Sequence, residues 1–467
     1  AAGSGTAAYE IEQSIRFNQA DSAFMYRNFS GAGNKKTATW SFWCKRADLA
    51  DRQDVISFAQ DVPFIFQADD TLYVATFGAS SLITNRVFRD PSAWYHFVLT
   101  VDSTRAVASD RIRLYVNGQR ETSFSTENYP SLNADANFYT GTPSSPYTAY
   151  SMQIGNIIGG SYYNGLYLAE IHFLDGISYG PEYFGETNSN GIWIPKEYDG
   201  SYGSNGFKID GRDSADLGDD ESGNGNDFTT SGLAAHDQVL DTPTNNFCTI
   251  NSVYADVTGA NNLTLSEGNL EVAGTSSAFD LKGMTFNVPK SGKWYMEYTI
   301  GGGYDGFGFC VVGQEATITP SGNGLGQLSV SQGGGIQYQG WRNGGSYTVS
   351  MGSAFTSGHI HQVAIDVDNG KFYYGIQNTY YAADGGTDGN PSAGTNHTST
   401  FDFSGNDVVL MTAVTTDSNA EHWNFGQNGT FNGTVTAGGN SDGNGIGNFK
   451  YSVPTGYLAL CSKNVGS

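Results

Sequence analysis

The stretch Arg111-Ile112-Arg113-Leu114-Tyr115-Val116-Asn117-Gly118 decides the fold class of this 467-residue chain. Polar and apolar residues alternate along it, so Ile112, Leu114 and Val116 share one face of a β-strand. The Asn-Gly pair that follows is typical of a two-residue hairpin turn, because both central residues of that turn need a positive φ. The stretch therefore predicts a half-buried β-hairpin.

The same pattern returns about 250 residues further along the chain. Residues 359–367 alternate, Asn369-Gly370 supplies the turn, and Lys371–Ile376 is the returning strand. Two such copies indicate two β-sandwiches of related design. Since no run of a dozen residues has a helical period, we expect an all-β chain with two sandwiches.

Composition agrees with this fold and excludes some partners. The chain has 62 Gly, 28 Tyr, 28 Phe and 7 Trp, which favours strands, turns and large cores. Its net charge of -23 repels phosphate backbones and anionic lipid surfaces, so we expect no nucleic-acid partner. No stretch approaches 18 apolar residues, so no membrane insertion is expected. The four Cys are widely spaced and are expected to be free thiols.

The chain divides into parts of different composition. Between the two sandwiches lies a long segment rich in Gly, Asn, Ser and Asp. It is too long for a structureless connection, so we interpret it as ordered. The predicted parts are an N-terminal tail or linker (1–8), a first sandwich (9–180), an ordered connector (181–250) and a second sandwich (251–467).

Both halves resemble known domain families. The N-terminal half resembles laminin-G-like lectin domains of the concanavalin A type, through residues 14–17, 40–43, 94–98, 114–118 and 165–171. The C-terminal half resembles SPRY domains, which are also β-sandwiches, through residues 291–298, 306–309, 363–366 and 423–427. The resemblance implies two jelly-roll sandwiches of the concanavalin A type. The matching residues are mostly core and turn positions, so they bear on fold more than on ligand.

The order of these segments is similar to virion structural proteins of tailed bacteriophages, particularly marine ones. Residues 222–228, 240–247 and 454–461 complete the match. The resemblance implies a non-enzymatic head appendage, decoration protein or tail fibre on the virion surface, assembled in the host cytoplasm. Other virion proteins would be partners, a homo-oligomer with a trimer favoured would form, and a host-surface glycan would be the ligand. The alternatives are an extracellular bacterial lectin or adhesin and a polysaccharide-degrading glucanase.

The glucanase alternative depends on one strand. Glucanases of this architecture carry Glu-x-Asp-x-x-Glu, whereas here Glu170 and Asp175 flank a central His172. On a regular strand Glu170 and Asp175 point to opposite faces, so they could not act as a carboxylate pair. We therefore predict no enzymatic activity. His359 and His361 share a strand face but lack a third ligand, so we expect exposed residues and not a zinc site.

An acidic run in the connector is the predicted metal site. Hard oxygen donors crowd into nine residues with intervening glycines, a composition that suits Ca²⁺. The alternative is a solvated acidic turn held by Asx hydrogen bonds. The predicted calcium ligands are Asp219, Asp220, Asn224, Asn226 and Asp227.

Aromatic residues in loops are the predicted sugar contacts. A pyranose stacks its apolar face on an aromatic ring, while amides and carboxylates bind its hydroxyl groups. The alternative is that these rings pack in the cores or cap strands. The pair Tyr147 and Tyr150 is one candidate, and the predicted carbohydrate-binding residues are Tyr162, Tyr163, Trp341, Tyr380 and Tyr381.

Overall fold

The computed structural model divides the chain into two compact units, Ala1–Thr244 and Asn245–Ser467. In a few strands of the second unit it describes the backbone but not the side chains (280–281, 304–307, 311, 327–331, 337–342, 345–350 and 413–414). The residues that it describes are 9–58, 63–78, 80–139, 146–148, 150–254, 263–275, 280–301, 304–312, 327–331, 337–342, 345–350, 357–403, 405–414 and 420–466.

The first unit is built from strands that alternate apolar and polar residues. In chain order they are β1 (Ser14–Phe17), β2 (Phe24–Asn28), β3 (Thr37–Arg46), β4 (Gln53–Phe58), β5 (Phe64–Phe66), β6 (Thr71–Phe77), β7 (Ser80–Val87), β8 (Trp94–Asp102), β9 (Ile112–Val116), β10 (Gln119–Arg120), β11 (Phe124–Glu127), β12 (Ser151–Ile154), β13 (Leu166–Asp175), β14 (Gly185–Thr187), β15 (Trp193–Pro195), β16 (Phe207–Ile209), β17 (Thr229–Ser231) and β18 (Gln238–Val239).

Two sheets of these strands enclose the core of the first unit. The first sheet has the order β10-β9-β8-β3-β13-β1-β18, with β16 also paired to β13. The second has the order β11-β7-β6-β5-β4-β12-β2-β17. Trp40 of the first sheet lies between the sheets, with its ring 4.9 Å from Phe173, 6.0 Å from Phe58 and 4.8 Å from Phe138. Aromatic pairs of this kind supply much of the hydrophobic stabilisation.

The segment predicted as a connector supplies strands to both sheets. β16 pairs with β13 and β17 with β2, while β18 pairs with β1 at the start of the chain. Buried ion pairs fix it further, since Arg16 Nη2 lies 3.1 Å from Asp237 Oδ1 and Lys45 Nζ lies 2.7 Å from Asp241 Oδ2. Residues 181–244 are thus part of the first compact unit.

The two Asn-Gly turns differ. Gln119 pairs with Val116, so Asn117 and Gly118 form a two-residue turn with φ of 47° and 76°, as the sequence predicts. In the second copy Asp366 pairs with Lys371, which leaves a four-residue loop at 367–370. Asp366 accepts hydrogen bonds from the backbone and side-chain N–H groups of Asn369. The prediction of a matching two-residue turn there is wrong.

The second unit contains two further sheets. Its strands are β19 (Leu263–Ser266), β20 (Glu271–Gly274), β21 (Asp280–Asn287), β22 (Lys293–Thr299), β23 (Tyr304–Val311), β24 (Gln327–Ser331), β25 (Gln337–Arg342), β26 (Gly345–Ser350), β27 (Ile360–Asp366), β28 (Lys371–Ile376), β29 (Thr379–Tyr381), β30 (Ser399–Thr400), β31 (Val408–Val414), β32 (Glu421–Asn424) and β33 (Leu458–Ala459). One sheet has the order β19-β20-β32-β22-β27-β28-β29, with β30 on β28 and β33 on β22, and the other is β21-β31-β23-β24-β25-β26.

The second unit has its own core. Trp423 stacks on Tyr298 with ring centroids 4.5 Å apart. His361 is fully buried beside the hydroxyl of Tyr374, so the prediction that it is exposed is wrong. Burial lowers the pKa of His361 to about 3, which keeps its ring neutral.

Helical structure is confined to short turns in the described part of the chain. One α-helix, α1, spans Ser462–Val465, and single 3₁₀ turns occur at Ala108–Asp110, Pro181–Tyr183, Ala235–Asp237 and Glu267–Asn269. No helix among the described residues has the length and apolar character needed to cross a membrane. The four Cys are buried free thiols, as expected. The predicted all-β fold class is confirmed.

Candidate functional site: the aromatic face of the first unit

Strand β2 places two aromatic side chains on the outside of its sheet. Met25 points into the core and is fully buried, so its neighbours Phe24 and Tyr26 lie on the opposite face. Both are half-buried. The sequence favours this arrangement because an apolar residue between two aromatic ones fits a strand with a buried inner face.

Two loops add rings to both ends of this pair. The ring of Tyr163 lies 6.2 Å from that of Phe24, which lies 6.4 Å from Tyr26. Tyr147 meets Tyr26 edge-on at 5.3 Å. These four half-buried rings form a row along β2, and we call this row the aromatic face.

A glutamine lies next to the aromatic face. Gln153 of β12 is directly opposite Tyr26, and its side chain hydrogen-bonds the Tyr147 hydroxyl. Gln153 is only 1% exposed, yet no donor among the described residues binds its Oε1. Burial raises the pKa of Tyr147, so its hydroxyl stays protonated at neutral pH. The face therefore combines apolar ring surface with the Tyr147 hydroxyl, while the Gln153 amide is buried.

The edge strand β17 borders the same face with hydroxyl groups. Thr229 is directly opposite Tyr26, and Ser231 is directly opposite Phe24. Because directly opposite residues share a face, both hydroxyls flank the rings. Both residues are exposed. β17 belongs to the segment predicted as a connector, so that segment completes the site.

The loop that carries Tyr163 also presents Tyr162. The Asn156 Oδ1 accepts the backbone N–H groups of Ile157 and Tyr162 and so folds this loop back on itself. Tyr162 is 41% exposed, and the Arg52 guanidinium lies 4.1 Å from its ring centroid. Two hydrogen bonds to Asp54 hold that guanidinium and raise the pKa of Arg52. The Arg52–Tyr162 pair is a cation–π contact between this loop and the residue that precedes β4.

The remaining candidates for sugar contact have other surroundings where the structure describes them. Tyr381 is buried in the second core, where its ring cannot stack on a ligand. Tyr380 is half-buried, and burial raises its pKa. Trp341 belongs to β25, whose side chains lie outside the described residues. Tyr150 packs against the first core, unlike Tyr147.

The carboxylates of the glucanase-like strand do not form a pair. Glu170 sits at a bulge of β13 with a φ of 50°, so the strand is not regular. Its carboxylate accepts hydrogen bonds from Tyr9 at 2.7 Å and His172 at 3.1 Å, and it lies 3.1 Å from Lys208 Nζ. Asp175 instead accepts backbone N–H groups from Asn34 and Asn205.

Electrostatics keep Glu170 ionised. Burial tends to raise its pKa, but the hydrogen bonds from His172 and Tyr9 and the charges of His172 and Lys208 outweigh burial and hold the pKa at about 2. An acid that stays ionised at neutral pH cannot act as the proton donor of a retaining glycosidase. With Asp175 in a separate hydrogen-bond network, this strand forms a structural cluster.

A serine and a histidine in contact do not form a nucleophile and base. His96 Nε2 lies 2.8 Å from Ser41 Oγ, while His96 Nδ1 accepts the indole N–H of Trp193 at 3.0 Å. With Nδ1 accepting, the proton is on Nε2 and is donated to Ser41. Burial lowers the pKa of His96 to about 3. The imidazole therefore cannot take the serine proton as a triad requires.

The acidic run of the connector is an Asx-bonded loop. The Asp220 carboxylate accepts the backbone N–H groups of Lys208, Ser222 and Asn226 and the Ser222 hydroxyl. Asn226 Nδ2 and Asn224 Nδ2 both donate to the carbonyl oxygen of Gly206.

These bonds account for the shape of the loop without a cation. Asp227 Oδ1 accepts the N–H of Asp220 at 3.1 Å, whereas Asp219 is exposed. The calcium ligation predicted for this loop stays a prediction.

Sequence reasoning missed Phe24, Tyr26 and Gln153. The alternation of aromatic and apolar residues at 24–26 is a strand signal, but an outward ring there resembles a core ring until the inner face is known. Gln153 carries no motif. Strand pairing alone brings positions 26, 153 and 229 side by side.

Comparison with protein families supports the lectin-like architecture. Residues 20–157 match the family model described as the concanavalin A-like lectin/glucanases superfamily, Laminin_G_3. This range includes Phe24, Tyr26, Tyr147 and Gln153 but ends before Tyr163. A search of the curated proteins finds no match.

Solved structures with similar folds include a proposed carbohydrate-binding protein from Bacteroides ovatus. It shows 14% identity and a TM-score of 0.32, over 48% of this chain and 58% of that one. The SPRY domain of human HERC1 shows 11% identity and a TM-score of 0.25, over 34% and 91%. A SAP-like pentraxin from Limulus polyphemus shows 16% identity and a TM-score of 0.24, over 36% and 78%. At these scores the similarities carry no functional argument.

Proposed function

We propose that the first unit binds a glycan on its aromatic face. The observation that carries this proposal is the row of four half-buried rings flanked by the exposed residues Thr229 and Ser231. Sugar rings stack their C–H faces on aromatic rings, and their hydroxyls would hydrogen-bond the exposed hydroxyls of Thr229 and Ser231. The family match to a lectin superfamily is consistent with this proposal.

The shape and charge of the face favour a particular glycan class. A row of rings along one strand suits several linked sugars better than one terminal sugar. The net charge of -23 disfavours sulfated or uronic-acid glycans, because like charges repel at long range. We therefore propose a neutral or amino-sugar oligosaccharide.

We further propose that the whole chain is a non-enzymatic display protein on a tailed-phage virion. The order of its laminin-G-like and SPRY-like segments supports this assignment. In this role the chain assembles with other virion proteins, forms a homo-oligomer, and presents the glycan site toward a host cell surface. An extracellular bacterial adhesin would use the same site without a particle.

Glycan binding is tested by array screening followed by calorimetry of single variants. Tyr26→Ala and Tyr163→Ala should each weaken binding about tenfold, as expected for the loss of one stacked ring. Tyr183→Ala is the matched control, because Tyr183 is 40% exposed and its ring stacks at 3.9 Å on Tyr179, away from the aromatic face. The proposal would be contradicted if Tyr183→Ala weakened glycan binding while Tyr26→Ala left it unchanged.

The virion assignment is tested by mass spectrometry and imaging of purified particles. The chain should be present in stoichiometric amount at an exposed position. Its absence from particles, together with its presence on a bacterial surface, would favour the adhesin. That outcome would leave the glycan proposal intact, because an adhesin would use the same site.

A further inference from the structure

Nine Asn-Gly pairs lie in the part of the chain that the structure describes, and this dipeptide has a chemistry of its own. The backbone nitrogen of the glycine can attack the side-chain amide carbon of the asparagine, because no Cβ on the glycine blocks the approach. The attack requires that the amide turn toward that nitrogen, so the surroundings of each asparagine decide whether its pair reacts.

Eight of the nine asparagine side chains are held by hydrogen bonds to other described residues. Exposure alone does not free the amide, since Asn224, Asn369 and Asn444 are all exposed. The Nδ2 of Asn224 donates to the Gly203 carbonyl oxygen at 2.7 Å, and that of Asn369 donates to the Asp366 carboxylate at 2.9 Å. A held amide cannot turn toward the next backbone nitrogen, so these bonds slow the attack.

Asn190 is the exception among the nine. The residue is exposed, and no described residue forms a hydrogen bond with its side chain. Its backbone N–H donates to Asn188 Oδ1 at 3.0 Å, but its side-chain amide is free to rotate. Gly191 is also exposed, and no atom beyond its chain neighbours lies within 4 Å of the position that a Cβ would take there. The two reacting groups therefore have room to approach one another.

We propose that Asn190 is a site of spontaneous deamidation and the fastest-reacting of the described Asn-Gly pairs. The Gly191 backbone nitrogen loses its proton to hydroxide and forms a bond to Cγ of Asn190, and the side-chain nitrogen leaves as ammonia. Water then opens the five-membered imide at one of its two carbonyl groups, which gives aspartate or isoaspartate. Nothing is oxidised or reduced, and water is the only co-reactant.

The turn that contains Asn190 must open locally before the reaction, because the Gly191 N–H donates to the Asn188 carbonyl oxygen at 3.0 Å. This turn joins β14 and β15, which form a two-stranded sheet separate from the two large sheets of the unit. The next residue, Ile192, is 58% exposed, so little packing opposes the opening. Two-stranded hairpins are marginally stable, and exposed turns of this kind open at low cost.

The reaction would change both the charge and the backbone of this hairpin. Aspartate adds one negative charge, whereas isoaspartate also adds a carbon atom to the main chain between β14 and β15. Thr187 and Trp193 are the paired residues nearest to the turn, so the longer backbone would disturb this pair first. None of the four rings of the aromatic face belongs to the hairpin, so the inference does not depend on glycan binding.

The test is peptide mapping by mass spectrometry of the full chain, aged at neutral and at mildly alkaline pH. The peptide with Asn190 should gain the mass difference between NH₂ and OH at least about five times faster than the peptide with Asn369, because only Asn190 has a free amide. Its rate should rise with pH, since the attacking nitrogen must lose a proton. Asn190→Gln should react far more slowly at that position, because the longer side chain would have to close a six-membered ring.

Ageing in concentrated guanidinium chloride is the matched control, because unfolding releases both asparagine amides. The peptides with Asn190 and Asn369 should then react at similar rates, since both contain the same dipeptide. Modification of Asn369 before Asn190 in the folded chain would overturn the proposal. It would also be overturned if the ratio of the two rates were the same in the folded and the unfolded chain, because the structure would then not select Asn190.

Discussion

At the scale of single residues, His96 is held neutral by its neighbours. Its ring stacks on Trp43 at 4.6 Å, accepts the Trp193 N–H and donates to Ser41. The residue is 1% exposed, and burial lowers its pKa to about 3. Since the unfolded chain titrates near pH 6.5, it takes up a proton below that pH which the folded chain does not.

We expect His96 to make the first unit acid-labile. Its contribution to stability is full above pH 6.5 and is lost progressively toward pH 3, with a loss of about 2 kcal/mol at pH 5. His96→Gln keeps one donor and one acceptor but does not titrate, so the free energy of unfolding should fall less between pH 7 and 5. Urea titrations at pH 7 and pH 5 measure the free energy of unfolding of both proteins. An equal fall in the wild type and in His96→Gln would contradict the low pKa of His96.

At the scale of elements, the hairpin turn between β9 and β10 packs against a side chain of another strand. Gly118 has a φ of 76°, and a Cβ there would lie 2.5 Å from the Trp193 ring of β15. Gly159 has a similar φ of 72° but no atom within 4 Å of its Cβ position. Comparing these two glycines therefore distinguishes the cost of backbone strain from the cost of steric overlap.

Gly118→Ala should therefore destabilise the chain more than Gly159→Ala. Strain alone costs about 1 kcal/mol, and overlap with a packed ring adds roughly 1–3 kcal/mol. Denaturant unfolding of both variants measures this difference. An equal loss of unfolding free energy in the two variants would mean that the Trp193 indole moves aside at no cost.

The segment before Thr244 is anchored by buried charge. Lys45 Nζ and the Trp94 indole N–H both bind the Asp241 carboxylate, and neither Lys45 nor Asp241 is more than 1% exposed. Removing one partner takes the counter-charge away from a buried ion.

Asp241→Ala should cost about 3–5 kcal/mol of unfolding free energy. Asp110→Ala breaks the exposed Arg120–Asp110 pair and serves as the control, with an expected cost of at most about 1 kcal/mol. Chemical denaturation compares them. A similar loss of unfolding free energy in the two variants would show that burial does not make the Lys45–Asp241 pair more important for stability.

At the scale of the whole molecule, the division at Thr244 differs from the composition boundary at residue 180. Strands β16, β17 and β18 extend both sheets of the first unit. A fragment of residues 1–244 should therefore fold alone and melt cooperatively. A fragment of residues 1–180 lacks β14 to β18 and the ion-pair partners Asp237 of Arg16 and Asp241 of Lys45, so it should aggregate or stay partly unfolded. Circular dichroism and NMR spectra distinguish these outcomes, and a well-folded 1–180 fragment would contradict them.

Patterns local in sequence predict the strands but not the sites. Alternation at 111–116 and the following Asn-Gly pair specify a hairpin, because both depend on neighbouring residues. The aromatic face depends on the register that sets Gln153 and Thr229 opposite Tyr26. The backbone contact of Asp48 with Gly165 likewise joins residues more than a hundred positions apart, which no short-range pattern encodes.

The pairing of β1 with β18 has a consequence for synthesis on the ribosome. Ser14 is among the first residues of the unit to be made, yet its partner Val239 is among the last. At a translation rate of roughly 5–20 residues per second, β18 is synthesised about 10–50 s after β1. During that interval this edge of β1 lacks its partner strand, and a pause in translation before residue 239 would lengthen its exposure.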